Sequence, residues 1–260
     1  MQIYPLFSGS SGNCTLVEHN NTRLLIDVGV TGKAVFSALS QCDIDPSAID
    51  AILVTHEHSD HIKGVGIVSR KLDIPIYANA STWYEMQGKI GEVAEKNIRV
   101  FDTNCDFSLK DINILPFSIP HDTAEPVAFS FNAGNKKLTV ATDIGHITSD
   151  IEGVMKGSDI LLLESNHDVD MLKKGPYPAV LKKRILGLKG HLSNEVCGNT
   201  LVKLYLSGVK RVILGHLSNE NNTEELAYTT VSQILAQSGI GSDYSLKIAH
   251  RDRVCGRFEV

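Results

Sequence analysis

Residues 55–61 read Thr55-His56-Glu57-His58-Ser59-Asp60-His61, and the span from His56 to His61 holds four potential metal ligands in six residues. Neutral imidazole nitrogens and carboxylate oxygens suit zinc, manganese and iron, so the stretch reads as a transition-metal site. It follows Ala51-Ile52-Leu53-Val54, an apolar run with the look of a buried strand. If the backbone stays extended, His56, His58 and Asp60 project the same way. His61 has the opposite parity and needs a turn, which the glycines Gly64 and Gly66 after Lys63 permit. The pattern is not His-Glu-x-x-His on a helix, because no two of these histidines are four apart. A shuffled chain of this composition would show His-x-His-x-Asp-His about one time in a thousand, which sets coincidence aside.

Working outward, 260 residues with 42% hydrophobic content can bury one substantial core, and a single domain over residues 1–260 is expected. The net charge of −5 does not announce nucleic-acid binding. Two divalent ions would offset most of it, so charge alone does not decide the question. The five cysteines, Cys14, Cys42, Cys105, Cys197 and Cys255, are widely spread and form no C-x-x-C pair. They read as reduced thiols of a cytoplasmic protein. Met1-Gln2-Ile3-Tyr4-Pro5 has neither the basic start nor the apolar core of a secretory signal. No apolar run approaches the ~20 residues that span a bilayer, so no membrane role is expected.

Strands are expected at Gln2–Phe7, Cys14–Glu18, Thr22–Asp27, Ala51–Val54, Ile74–Tyr77, Ile98–Phe101, Ile112–Ile119, Val127–Phe131 and Lys137–Ala141, with turns at Asn20-Asn21 and Gly134-Asn135. Three more follow at Ile160–Leu163, Arg211–Leu214 and Ser245–Ala249. Helices are expected at Lys33–Gln41, Val65–Leu72, near Thr82–Ile90 and at Glu224–Gln237. Strand-rich halves with interspersed helices fit two packed sheets with helices outside.

Several polar residues end apolar strands, where a rigid scaffold holds ligands best. His121 follows Ile114–Pro120, Asp143 follows Leu138–Thr142, and His216 follows Val212–Gly215. Asp27 ends Leu24-Leu25-Ile26 and is either a turn cap before Gly29 or a partner that orients an imidazole. Glu164 ends Asp159–Leu163. His191 lies in Gly190-His191-Leu192-Ser193-Asn194, nearly repeated at Gly215-His216-Leu217-Ser218-Asn219, with Ser193 placed to cap a helix. His167 is a weaker candidate for the site rim. Between Met171 and His191 lie Lys173, Lys174, Lys182, Lys183, Arg184 and Lys189 without one acidic residue. Such a tract attracts a phosphate backbone, and Tyr177 within it is able to stack on a base. The small-residue loop Ser8–Asn13 is a further candidate, through its backbone N–H groups, for holding a phosphate.

Thr55–His61 resembles the signature of the metallo-β-lactamase fold superfamily, whose hydrolases share a two-metal site. The resemblance implies an α/β fold, a four-layer αββα sandwich of two mixed sheets with outer helices. It implies that His56, His58 and His121 bind one divalent ion, that Asp60, His61 and His216 bind the other, and that Asp143 bridges both. Asp60 and Asp143 are thereby also counted as catalytic, and manganese, zinc or iron would serve. The family often has an aspartate at the position of Asp27 that bonds a ligand or the loop backbone. Glu164 and His191 are placed as in ribonuclease Z-type phosphodiesterases, which implies that Glu164 orients His191 and that His191 protonates the leaving oxygen.

The whole chain is similar to the bacterial WalJ (YycJ)-type exonuclease branch. The segments that carry this are Phe7–Asn13, Leu163–Asp168, Gly175–Pro178, Gly190–Asn194 and His216–Asn222. The resemblance implies a 5′-to-3′ exonuclease on double-stranded DNA. The alternatives are a small-molecule hydrolase acting on a thioester, lactone or cyclic phosphodiester, favoured by a closed apolar pocket, and a non-catalytic, metal-stabilised module that binds DNA or a partner. A β-lactamase is disfavoured by the lack of an export signal. A flavodiiron-type oxidoreductase is disfavoured because that resemblance would put glutamate where His58 stands.

Overall fold

Side chains alternate between the two faces of a strand, and the buried runs of this chain use both faces. In the computed structural model, which describes Met1–Val260, the first half of the chain supplies β1 (Gln2–Phe7), β2 (Cys14–His19), β3 (Thr22–Ile26), β4 (Ala51–Leu53), β5 (Ile76–Ala78) and β6 (Ile98–Val100). β1 to β3 pair antiparallel, and Asn20 turns the β2–β3 hairpin at φ 47°. Asparagine takes this left-handed conformation more readily than most residues. From β3 to β6 the pairs are parallel, and parallel strands need crossover connections. α1 (Gly32–Gln41), α2 (Ser59–Ile62), α3 (Val65–Leu72) and α4 (Ala80–Met86) lie in those connections.

The second half repeats the order. β7 (Phe107–Leu109), β8 (Ile112–Ser118), β9 (Val127–Ala133) and β10 (Lys136–Ala141) pair antiparallel. β11 (Ile160–Glu164), β12 (Arg211–Gly215) and β13 (Ser245–Ile248) then add in parallel. α5 (Ser149–Met155), α6 (Val169–Lys174), α7 (Ala179–Ile185), α8 (Asn194–Tyr205) and α9 (Glu224–Gln237) occupy the connections, and β14 (Phe258–Glu259) returns to pair with β1. The result is two mixed sheets of seven strands.

Three apolar clusters make the layers. Between the sheets, Leu24 and Ile26 of β3 meet Phe129, Phe131, Leu138, Val140, Ile160 and Leu162. Their neighbours in sequence face outward. Leu25 packs with Val35, Leu39, Val65 and Val68 under α1 and α3, and Leu161 and Leu163 pack with Leu201, Leu204, Val231 and Leu235 under α8 and α9. This is the expected αββα order. Each large buried side chain contributes about 1.5–3 kcal/mol.

Most elements lie within two residues of their expected bounds. The strand expected from Ile74 begins at Ile76, and the helix expected near Thr82–Ile90 is Ala80–Met86, started by the Asn79 side chain accepting from the Thr82 N–H. The sequence reading did not locate β7, β14 or the short helices α5, α6 and α7, which hold no more than seven residues each and show less than two full turns of periodicity.

The histidine loop also differs from the expected extended run. β4 stops at Leu53, His58 starts α2, and both Asp60 and His61 lie on that helical turn. The glycines that follow do not make the turn. Gly64 has an ordinary φ of −105°, and a Cβ there would lie 2.3 Å from the Val30 carbonyl oxygen, so its small size serves a close packing contact.

Candidate metal centre

β10, β11 and β12 are parallel, and β8 runs in the same sense as β10 because two antiparallel steps separate them. Their carboxyl ends therefore open on one side of the second sheet, a usual place for a site in sheets of this kind. Register sets the fine spacing. Leu163 lies opposite Leu214 and Glu164 opposite Gly215, so His216 follows one residue beyond Glu164's partner. Three residues just past strand ends have left-handed backbone: Asp27 at φ 57°, Asp143 at φ 60° and His216 at φ 55°. Such conformations cost roughly 1–3 kcal/mol each in residues with a side chain, and the surrounding contacts must hold them.

Those contacts are specific. Asp27, on the first sheet, accepts from the Thr55 N–H at 2.8 Å through one oxygen. Its other oxygen accepts from Thr55 Oγ1 at 2.8 Å and lies 2.7 Å from His61 Nδ1. One carboxylate thus fixes the start of the histidine loop and the ring of His61, leaving Nε2 of His61 turned elsewhere. That Nε2 lies 3.4 Å from Asp143 Oδ2 and 3.7 Å from Asp60 Oδ2. His216 presents its main-chain N–H to Ser8 Oγ at 2.8 Å, and its Nδ1 sits 2.8 Å from Glu164 Oε1. His121 Nδ1 lies 3.1 Å from the Gly190 carbonyl oxygen.

Donor atoms converge in four groups, the atoms of each lying within 4.8 Å of one another: His56, His58 and His121; His56, His61 and Asp143; Asp60, His61 and His216; and Asp143, Glu164, His191 and His216. All seven residues expected to bind metal are therefore brought together, and Asp143 falls in two of the groups. Nε2 of His121, Oδ2 of Asp143 and Nε2 of His216 are buried without a hydrogen-bond partner. Buried polar atoms are rarely left unpaired. A nitrogen- and oxygen-donor set with three such atoms fits divalent metal ions, and the residues present suit the group the fold family implies.

Electrostatics among the protein groups alone agree. Burial pushes the His56 imidazole well below its ordinary value, and the neighbouring histidines push it further. Burial also acts downward on His61, but the carboxylates of Asp143, Asp27 and Asp60 outweigh it and raise the ring to about 9. Burial would raise Asp143 and Asp60, yet the surrounding imidazoles hold both carboxyls below their usual range. A pocket that stabilises carboxylates and crowds histidines is one that positive charge would settle.

Glu164 is fully buried and uses every acceptor it has. Oε1 faces Nδ1 of His191 at 2.7 Å and Nδ1 of His216 at 2.8 Å, and Oε2 accepts from the N–H groups of Ile144 and Leu192 at 2.8 and 3.1 Å. Burial acts to raise this carboxyl, but the charges and hydrogen bonds of the two histidines keep it well below the ordinary range. The His191 side chain is 17% exposed, so its ring reaches solvent while Nδ1 stays tied.

Some expectations need correction. His167 is not at the rim: it is 1% exposed, and neither ring nitrogen has a partner. The Ser8–Asn13 loop is not a phosphate cradle, because four of its six main-chain N–H groups are used internally. Those of Ser8, Gly9, Gly12 and Asn13 go to His250 O, Asn13 Oδ1, Gly9 O and Asp60 O. The loop instead buttresses the centre, with the Asn13 main-chain N–H donating to the Asp60 carbonyl oxygen at 2.8 Å. Gly29 allows this approach, since a Cβ there would lie 1.6 Å from the Asp60 carbonyl oxygen. In sequence, the only hint of this role was the small size of these residues.

The basic tract reaches the site through α7 and the loop after it. Arg184 pairs with Asp122, next to His121. Lys174 pairs with Asp170 at 3.1 Å, and Lys182 donates to the Lys173 carbonyl at 2.8 Å. Lys173, Lys183 and Lys189 are exposed and have no acidic partner. All five cysteines are free, and no helix is long and apolar enough to cross a membrane. A cavity of about 610 Å³ lies between α9 and β13, and no residue of the centre lines it.

The fold and this buried cluster define a metal-dependent hydrolase of the metallo-β-lactamase fold. Residues 22–217 match the family described as "Beta-lactamase superfamily domain", and the chain belongs to that family. It is 40% identical to exodeoxyribonuclease YycJ of Bacillus anthracis over 247 residues, 95% of this chain and 94% of that protein. It is 39% identical to exodeoxyribonuclease WalJ of Streptococcus pneumoniae serotype 2 (strain D39), over 94% of this chain and 91% of that protein. Among solved structures, zinc-bound PqqB from Methylobacterium extorquens superposes with a TM-score of 0.73 at 15% identity over the full length of both chains, which shows the fold alone.

Proposed function

We propose that this chain is a two-metal phosphodiesterase that removes nucleotides from double-stranded DNA in the 5′-to-3′ direction, acting as one domain in the cytoplasm. The observation that carries the nucleic-acid substrate is the 40% identity with an exodeoxyribonuclease over nearly the whole of both chains. The geometry supports the chemistry. His56, His58 and His121 would hold one divalent ion, and Asp60, His61 and His216 the other, with Asp143 between them. Manganese, zinc and iron all suit these donors. When bound, such a pair supplies an attacking water at neutral pH and positive charge against the phosphoryl oxygens.

The chain's own groups do the rest. Asp27 fixes His61 through Nδ1, and Glu164 fixes His216 in the same way, so both rings offer Nε2 to the centre. Glu164 also fixes Nδ1 of His191. In this reading Nε2 of His191 carries the proton that the departing 3′ oxygen takes, and Glu164 stabilises the ring as it cycles. The unpaired lysines Lys173, Lys183 and Lys189, beside Lys174, Lys182 and Arg184, would draw the DNA backbone to the site.

The test is hydrolysis of 5′-end-labelled duplex DNA in manganese by the wild type and by Asp143→Asn. Release of label by the wild type alone, with both proteins folded, is the expected result. No cleavage in any metal, from protein shown to carry two ions, would move the assignment to a small-molecule substrate.

A further inference from the structure

α7 and the loop joining it to His191 carry three exposed aliphatic side chains among their lysines, Val180 on the helix and Leu186 and Leu188 on the loop. Val180 is 82% exposed, Leu186 46% and Leu188 73%. Single exposed apolar residues are ordinary, but here they share a short basic segment held against the metal centre. His146 Nδ1 lies 2.9 Å from the Leu188 carbonyl oxygen, and His121 Nδ1 lies 3.1 Å from that of Gly190. Gly145 admits the loop, since a Cβ there would sit 2.2 Å from Leu188 O. Arg184, two residues before Leu186, is bound to Asp122. The backbone is therefore pinned on both sides of Leu188 while its side chain stays in solvent.

A rigidly held aliphatic residue in a cationic setting suits a partner that is anionic and also offers an apolar face. Nucleic acid meets both demands, and an open duplex end also leaves the face of its last base pair bare. Proteins use leucine and similar residues as wedges against base steps. We propose that Leu186 and Leu188 form an end-stacking wedge, packing on the terminal base pair while Lys183 and Lys189 hold the phosphates beside it. The inference rests on the nuclease reading and adds how that site would select an end over an internal bond. The contact needs no sequence preference, because every base has a π-face.

The test compares wild type with a Leu186→Ser/Leu188→Ser variant, each loaded with manganese. Rates are measured on blunt duplex DNA and on bis(p-nitrophenyl) phosphate, a diester too small to reach the wedge. The ratio of the duplex rate to the small-diester rate should fall about tenfold in the variant, mainly through KM, the size expected for losing the apolar area that the leucines would bury against a base pair. An unchanged ratio in an active nuclease overturns the wedge and leaves the nuclease reading standing. Wild type that cleaves only the small diester overturns both. Sedimentation of both proteins completes the comparison: a dimer that the variant breaks would assign these leucines to a second copy of the chain and overturn the wedge.

Discussion

Glu164 Oε1 sits 2.8 Å from His216 Nδ1, and the same oxygen sits 2.7 Å from His191 Nδ1. One buried carboxylate thus ties the ring of His216 to that of the partly exposed His191, the residue proposed above to transfer a proton. Charge on Oε1 supports both rings, and a neutral amide in its place serves them poorly. Glu164→Gln is expected to weaken metal affinity about tenfold to a hundredfold, the usual cost of losing a partner that orients a ligand. Activity should fall further than metal loss explains. Metal content by elemental analysis, read beside kcat at saturating manganese, checks both parts, and full activity at normal occupancy would separate Glu164 from the chemistry.

His191 is partly exposed and tied through Nδ1 only. His191→Ala leaves Glu164 bonded to His216 and should retain bound metal. The rate on DNA is expected to drop about 10²–10⁴-fold, the usual contribution of a general acid. A diester with a p-nitrophenolate leaving group needs no such proton, so its rate should drop far less. Equal losses on both substrates would argue that His191 binds rather than protonates, and loss of metal would make it a ligand.

Asp27 bonds the Thr55 N–H, the Thr55 hydroxyl and His61 while holding φ at 57°. Asp27→Ala removes three partners from buried groups and puts a residue poorly suited to positive φ at that bend. Each buried group left unpaired costs roughly 1–3 kcal/mol. Chemical denaturation of the metal-free protein should show a loss at or above that range for one group. Asp27→Asn keeps one acceptor and tolerates the backbone, so it should lose less. A midpoint unchanged in the alanine variant would show that the loop is held by other contacts.

Burial pushes His167 from the ordinary 6.5 down to about 4. Between those values the unfolded chain binds a proton that the folded chain excludes, so stability must fall as pH falls, by at most roughly 3 kcal/mol from this group. Urea midpoints of the metal-free protein between about pH 7 and pH 5 should decline in the wild type and decline less in His167→Phe. Parallel declines would show that the folded protein accommodates the charged ring.

Outside the histidine loop, the residues of the centre were legible because they lie at or just beyond the ends of apolar strands, and such strands announce themselves locally. Asp27, His121, Asp143, Glu164 and His216 all follow such runs. A turn at His61 was legible from its parity, but its helical form over Ser59–Ile62 was not: four residues are too few for periodicity, and the glycines after it invited a different reading. His167 was misplaced because burial of a polar side chain depends on what packs over it.

The sequence by itself therefore determined the donor types, their spacing and the strands that carry them, since these depend on neighbours a few residues apart. Which atom faces which was decided by tertiary structure alone. The Ser8 hydroxyl meets the His216 N–H from 208 positions away, and Asp27 meets His61 from 34. Those pairings arise only when two sheets pack face to face and bring their strand ends to a common edge, where the enclosed polar atoms must find partners.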